Sequence, residues 1–292
     1  MTRTSSPTVW RRWLAHEMRR LRQEQGLSQA QVAETLGCRV PKISLIESNE
    51  RSIQDADLEK LLALFEVPKE QHEQYGTAAK NARKKGWWEA YGPHTIPDWM
   101  ELFVGLEQGA SGLRTYQPAI FHGLFHTPEY AAAILRRGAI AAMNEEKVVR
   151  NVELRTRRQQ ALWRDVDALA VSAVVDEVVL RRTVGGPAIM RAQLEHVIDV
   201  VQKNDHVNLQ VVPFEISVPP EAIYGPFTIV SFPSDHDPDV VYIEHRAGAV
   251  LLESVWEVDI HSLAYEQLQS LALSPDDSLA MLRRIAREYV AS

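Results

Sequence analysis

The residues best suited to chemistry lie close together: Arg39, Val40, Lys42 and Ser44, with Gln29 upstream and Asn49 and Arg51 just downstream. Arginine and lysine seek phosphates or the acceptor edge of guanine, and a serine hydroxyl bonds either a base or the backbone. Val40 suits a thymine methyl. Gln29 suits a phosphate beside the groove, and Asn49 and Arg51 suit phosphate contacts that position a domain without reading sequence. Such a set reads a DNA duplex only if residues 39, 40, 42 and 44 lie on the outer side of one short helix.

The surrounding pattern supplies that helix and its support. "WLAHEMRRLRQEQG" puts Leu14, Met18 and Leu21 on one face, and Gly26 ends it. "LSQAQVAETLG" opens with Ser28 and has Gln31 three residues on, a capping box. Val32, Ala33 and Leu36 turn inward there, and Gly37 permits a tight left-handed turn. The next helix is anchored from behind by Ile43 and Ile46. Its Pro41 falls in the first turn, where no backbone N–H is needed for the helical ladder. "DADLEKLLALFEV" follows, with Asp55 as the expected N-cap and Leu58, Leu61, Leu62 and Phe65 as its stripe. A fifth helix runs from about Pro68 to Lys85. Two helices joined by a small turn, the second with its N-terminal residues outward, are the parts of a helix-turn-helix. The rival reading is a small helical bundle with solvated charges.

Bulk composition fits this placement. The chain of 292 residues is 45% hydrophobic and 24% charged, long enough for two cores. Its net charge of −7 conceals an asymmetry. Residues 1–86 carry 15 Lys and Arg against 11 Asp and Glu, and residues 87–292 carry 17 against 28. Phosphate attraction follows the local field, so the basic first part suits DNA and the acidic remainder does not. No apolar run is long enough to span a membrane, and the polar N-terminus lacks a signal-peptide core. The lone Cys38 excludes an internal disulfide framework and fits a reducing cytoplasm. It reads as a small residue of the turn; a redox role through a thiolate favoured by Arg39 is the sharper alternative.

The expected domains are a helical one at 1–86, an aromatic connector at 87–96 with Trp87, Trp88 and Tyr91, and an α+β domain at 97–292. In the last, helices are expected over Asp98–Gly109, Pro128–Arg137, Glu145–Arg164 and from Pro187, with two more closing the chain. "DALAVSAVVDE" alternates as a strand. "VNLQVVPF", "GPFTIVSF", "VVYIEHRAG" and "AVLLES" read as short strands whose turn-rich junctions suggest antiparallel pairing. The fold class expected is therefore an all-α helix-turn-helix domain followed by an α+β domain with a mainly antiparallel sheet.

"MRRLRQEQGLSQAQVAETLGCRVPKISLIESNER" resembles the lambda-repressor/Cro (Xre) class of DNA-binding domains, through Ser28-Gln29, Ile43-Ser44-Leu45-Ile46-Glu47 and Ser48-Asn49. "RTYQPAIFHGLFHTPEYA", "RTRRQQAL", "VDEVVLRRTVGGPAIMRAQLEHV", "QVVPF" and "GPFTIVSFP" resemble the large C-terminal domain of actinobacterial WhiJ-like, antitoxin-like regulators. The resemblance implies a cytoplasmic, nucleoid-associated, homodimeric repressor-like regulator with a small protein partner or small-molecule effector. The chain departs from those families at Arg39-Val40-Pro41, where Ser and Gln are usual, and at His122 and His126.

The second domain offers softer candidates. Arg114, Tyr116, Arg155, Arg158, Glu177, Arg181 and Arg182 fall within the resembling motifs. They read either as a buried Arg–Glu network or as an anion pocket for an effector. His122 and His126, four apart, would share a face of a helix, but "HGLFH" lacks a third ligand and the metalloprotease glutamate. "VGGP" before a helix reads as a turn, with anion binding as the alternative. Asp176 and Glu177 are expected on opposite faces of an extended segment, unsuited to acid–base work. No nucleophile elbow or phosphate loop is present. The expectation is a DNA-binding regulator with no cofactor, metal or catalysis. Its rivals are a protein-interaction module and an enzyme with a DNA-targeting domain.

Overall fold

The computed structural model describes residues 6–93, 95–138, 144–216, 223–233 and 237–289; His94 of the aromatic connector lies outside them. Two compact units result, Met1–Ala90 with Phe232–Pro238, and Tyr91–Ser231 with Asp239–Ser292.

The first unit holds α1 (Pro7–Glu24), α2 (Gln29–Leu36), α3 (Val40–Glu47), α4 (Asp55–Leu64) and α5 (Lys69–Ala82). Ser28 and Gln31 form the capping box, each side chain bonded to the other's backbone. Gly37 closes α2 at φ 65°, a conformation that costs a residue with a β-carbon about 1–2 kcal/mol. Arg39 is the N-cap of α3 and Pro41 lies in its first turn. Leu14, Met18, Leu21, Val32, Ala33, Leu36, Ile43, Ile46, Leu58, Leu61, Leu62 and Phe65 form one buried core, with Cys38 partly buried against it. The expected cap of α4 needs correction: Gln54 is the N-cap, and Asp55 is the first helical residue. The Asp55 carboxylate instead takes Arg83, at 2.8 Å. Arg12, buried on α1, donates to Asp237 and to the Pro238 carbonyl within the same unit.

One buried carboxylate joins three of these helices. Glu47, at the end of α3, has a side chain only 2% exposed. Arg22 of α1 grips it with a two-pronged bond, Nε at 2.6 Å and Nη2 at 2.9 Å. Gln29 of α2 donates to it at 2.9 Å. The third arm of Arg22 reaches the Leu27 carbonyl at 2.8 Å. The angle between α2 and α3 is thereby set by charge-assisted bonds as well as by apolar packing.

The second unit contains α6 (Asp98–Gly109), β1 (Gly112–Gln117), α7 (Pro128–Gly138), α8 (Glu145–Gln159), β2 (Ala170–Asp176), α9 (Glu177–Arg181) and α10 (Pro187–Lys203). It continues with β3 (Val207–Val212), β4 (Phe227–Ser231), β5 (Val240–His245), β6 (Gly248–Leu252), α11 (Val255–Leu271) and α12 (Pro275–Glu288). The six strands form one sheet in the order β3-β2-β1-β4-β5-β6. β1 is a strand without a counterpart in the sequence reading. It lies parallel to β2, with Leu113 beside Val171, and antiparallel to β4, with Leu113 beside Val230. β4, β5 and β6 pair antiparallel, as expected. β3 does not: it lies parallel to β2, because α9 and α10 carry the chain back to the starting end of the sheet. The helix expected to reach Arg164 ends at Gln159 and tightens into a 3-10 turn, Gln160–Trp163. "VGGP" is a turn into α10, with Gly185 at φ 74° and Gly186 at φ 104°.

The Glu47 contact is open to a direct test. Glu47→Ala leaves the largely buried Arg22 without its counter-charge and should lower stability by about 3–5 kcal/mol, measured by urea unfolding. Pairing it with Arg22→Leu should recover part of that loss, because the stranded charge is gone.

Candidate functional site

The outward row of α3 consists of Val40, Pro41, Ser44 and Ser48, all exposed, with exposed Arg39 at its head. Ile43, Ile46 and Glu47 face the core. Val40 is 42% exposed, high for a valine on a well-packed domain. The helix is thus held from behind and clear in front. Lys42, expected on that front, sits to the side: its ammonium pairs with Asp57 of α4 at 2.7 Å and its side chain is 24% exposed. Gln29 is half-buried, with its amide engaged by Glu47. Asn49 closes α3 in the left-handed region at φ 64°, which its short amide side chain tolerates better than most. Arg51 is exposed beyond it. Structure therefore brings Arg39, Val40 and Ser44 to one face, adds Pro41 and Ser48, and sets Lys42 and Gln29 at its edges.

The residue that sequence reasoning passed over is Glu47. Its signal was present: it lies four after Ile43 and one after Ile46, so the helical period turns it inward with them. Pro41 and Ser48 carry the same signal in reverse, three before and four after Ser44.

In the second unit Arg155, Arg158, His122 and His126 lie close enough to act on one another's charge, while the other candidates are spread over β1 and α9 and just past it. Arg158 of α8 and Glu107 of α6 form a buried two-pronged pair at 2.7 and 2.8 Å, and the guanidinium lies 5.4 Å from the centre of the Phe103 ring. Arg155, one turn earlier, is pushed down to about 10 by burial and by Arg158 beside it, and its Nη1 has no hydrogen-bond partner among the described residues. Arg114 of β1 reaches Ser262 at 3.1 Å and Asp239 at 3.5 Å. Tyr116 is fully buried in the sheet against Phe227. Arg182 is exposed. Glu177 accepts Arg181 at 2.6 Å and the Phe214 backbone at 3.0 Å, and Arg181 also meets Glu288 at 3.1 Å. Asp176 and Glu177 do not straddle an extended segment: Asp176 caps α9 through the Val178 amide, and Glu177 begins the helix.

His122 and His126 do not share a helical face. They flank a single 3-10 turn, Gly123–Phe125, and both are buried. The His122 Nδ1 accepts the Leu124 amide at 3.4 Å, and the His126 Nε2 donates to the Phe121 carbonyl at 2.7 Å. Among the described residues no cluster of three His, Cys or carboxylate side chains suits a metal ion.

Burial holds His122 down to about 3 and His126 well below the usual imidazole range. Unfolded histidines take up protons near pH 6.5 while these stay neutral, so the unfolded chain binds more protons and stability rises with pH across that window. The second unit should therefore be fully stable above about pH 6.5 and lose up to about 1.4 kcal/mol per histidine for each pH unit below it. Thermal melts from pH 7.5 to 4.5 should show this slope, and His122→Gln with His126→Gln should flatten it.

No curated protein and no solved structure matches the chain. No helix among the described residues is long and apolar enough to cross a membrane. Residues 13–74, from within α1 to the start of α5, match a helix-turn-helix domain family. Residues 100–284 match a domain of unknown function, DUF5753, over more than half of the sequence, and the chain belongs to that family.

Proposed function

We propose that the chain is a sequence-specific transcriptional regulator of the Xre class, with a WhiJ-like controlling domain. The first unit lays α3 in the major groove of an operator. Arg39 and Ser44 supply the polar contacts, Val40 and Pro41 the apolar ones, and Arg51 and Gln29 steady the domain on phosphates. Lys42 joins them by exchanging Asp57 for a phosphate or a guanine. A short helix gives limited specificity, so two copies bind a near-palindromic site, which multiplies it. The second unit biases that arrangement through an effector or a protein partner, a coupling between two sites. No catalytic step enters this reading.

One observation carries it: α3 is exposed along Val40, Pro41, Ser44 and Ser48 while Ile43, Ile46 and Glu47 hold it from behind. The test is footprinting of the full chain on the DNA upstream of its own gene, followed by salt titrations of variants. Arg39→Ala should weaken binding and reduce the salt slope by about 1. Asp57→Asn should strengthen it about two- to fivefold by releasing Lys42, the worth of an ordinary ion pair. Absence of any protected site, or an Arg39→Ala, Ser44→Ala variant that binds as the wild type does, overturns the assignment.

A further inference from the structure

α11 is apolar on two sides. Its inner side covers the sheet: Tyr265 and Leu268 are buried over Tyr116, Val174, Phe227, Ile229 and Val241, and the Tyr265 hydroxyl donates to the Ser172 carbonyl at 2.7 Å. Its outer side carries Trp256, Ile260 and Leu263, spaced to fall on one stripe, with Val255 at its start. These four are 71%, 46%, 60% and 73% exposed respectively. A scattered exposed leucine needs no explanation, but a row of large apolar side chains on one helix marks a surface that is covered in use. A further exposed apolar side chain stands on the sheet. β6 is one of the two edge strands, and Val250, 44% exposed, pairs with Ile243 on the face that α11 packs against.

Charge says what covers it. No lysine or arginine occurs between Arg246 and Arg283, whereas Glu253, Glu257, Asp259 and Glu266 all lie on α11 or immediately before it. Glu253, Asp259 and Glu266 are exposed. The start of the helix is locked by a capping box, in which Ser254 and Glu257 bond each other's backbone. A second copy docked on this face would bring carboxylates against carboxylates. We propose that the outer face of α11, with Val250 at the sheet edge, is the docking site for a protein segment that presents an apolar face flanked by lysines or arginines, as a basic amphipathic helix does. Trp256, Ile260 and Leu263 seat its apolar side chains, and the acidic rim selects its charge.

The proposal is tested on the full chain without DNA, so its failure leaves operator binding untouched. The probe is a fluorescent amphipathic peptide of leucine and lysine, compared with a leucine–glutamate peptide of the same pattern, by anisotropy. The Leu/Lys peptide should bind, the Leu/Glu peptide at least tenfold more weakly. Trp256→Ser with Leu263→Ser, both at exposed positions, should cost at least tenfold, with the thermal melt unchanged. Asp259→Asn with Glu266→Gln should cost severalfold and reduce the salt dependence. Equal binding of both peptides, or equal binding by wild type and the Trp256→Ser, Leu263→Ser variant, overturns it. So does a concentration-dependent dimer in sedimentation that this variant abolishes, since the face would then belong to a second copy.

Discussion

A helix that presents its front to a partner must be fixed at its back, and here that fixing runs through Glu47. Apolar contacts alone, from Ile43 and Ile46, would hold α3 against the domain and still let it roll. The two-pronged bond from Arg22 and the amide of Gln29 remove that freedom, because each requires a direction as well as a distance. Burying a carboxylate is costly unless its lone pairs are met. Here three donors meet them, and the cost becomes specificity of orientation. The same geometry explains why Gln29 is half-withdrawn from the surface: its amide serves the fold first.

The second unit solves a different problem. Its sheet changes sense at β1, parallel to β2 on one side and antiparallel to β4 on the other. Helical connections join β1 to β2 and β2 to β3, which therefore pair parallel, while a two-residue turn joins the antiparallel β5 and β6. The paired charges of this unit, Arg158 with Glu107 and Arg181 with Glu177, tie helix to helix or a helix to the chain after β3. They are spent within the fold.

Much of the first unit was legible because its signals are local. A capping box, a glycine at a left-handed turn and a proline in a first turn each act over a few residues, and the apolar period of each helix agrees with them. What escaped was non-local. β1 is covered on both faces and carries Arg114 and Gln117, so its alternation is weak. The parallel pairing of β3 depends on a crossover and not on the strand itself. The turn at His122–His126 was open to a helical reading because the spacing of four was its only cue. With Ile43 and Ile46 on the inner face, the helical pattern leaves Lys42 on the outer side, yet Asp57, on another helix, draws it aside. Asp55 shows the usual one-residue error at a helix start, where cap and first turn favour the same residue types.

Pro41 has one more consequence. A helix beginning normally offers free backbone donors that attract anions, and a proline there removes one of them. With Val40 beside it, Pro41 puts an apolar surface next to the exposed Arg39 at the leading edge of α3. Should that edge meet base pairs, Val40 and Pro41 would sense the C5 methyl group in the major groove while Arg39 and Ser44 meet hydrogen-bonding atoms. Thymine carries that group, and so does cytosine once enzymatically methylated. Occupancy of a site read in this manner would then depend on the epigenetic state of the DNA as well as on its letters.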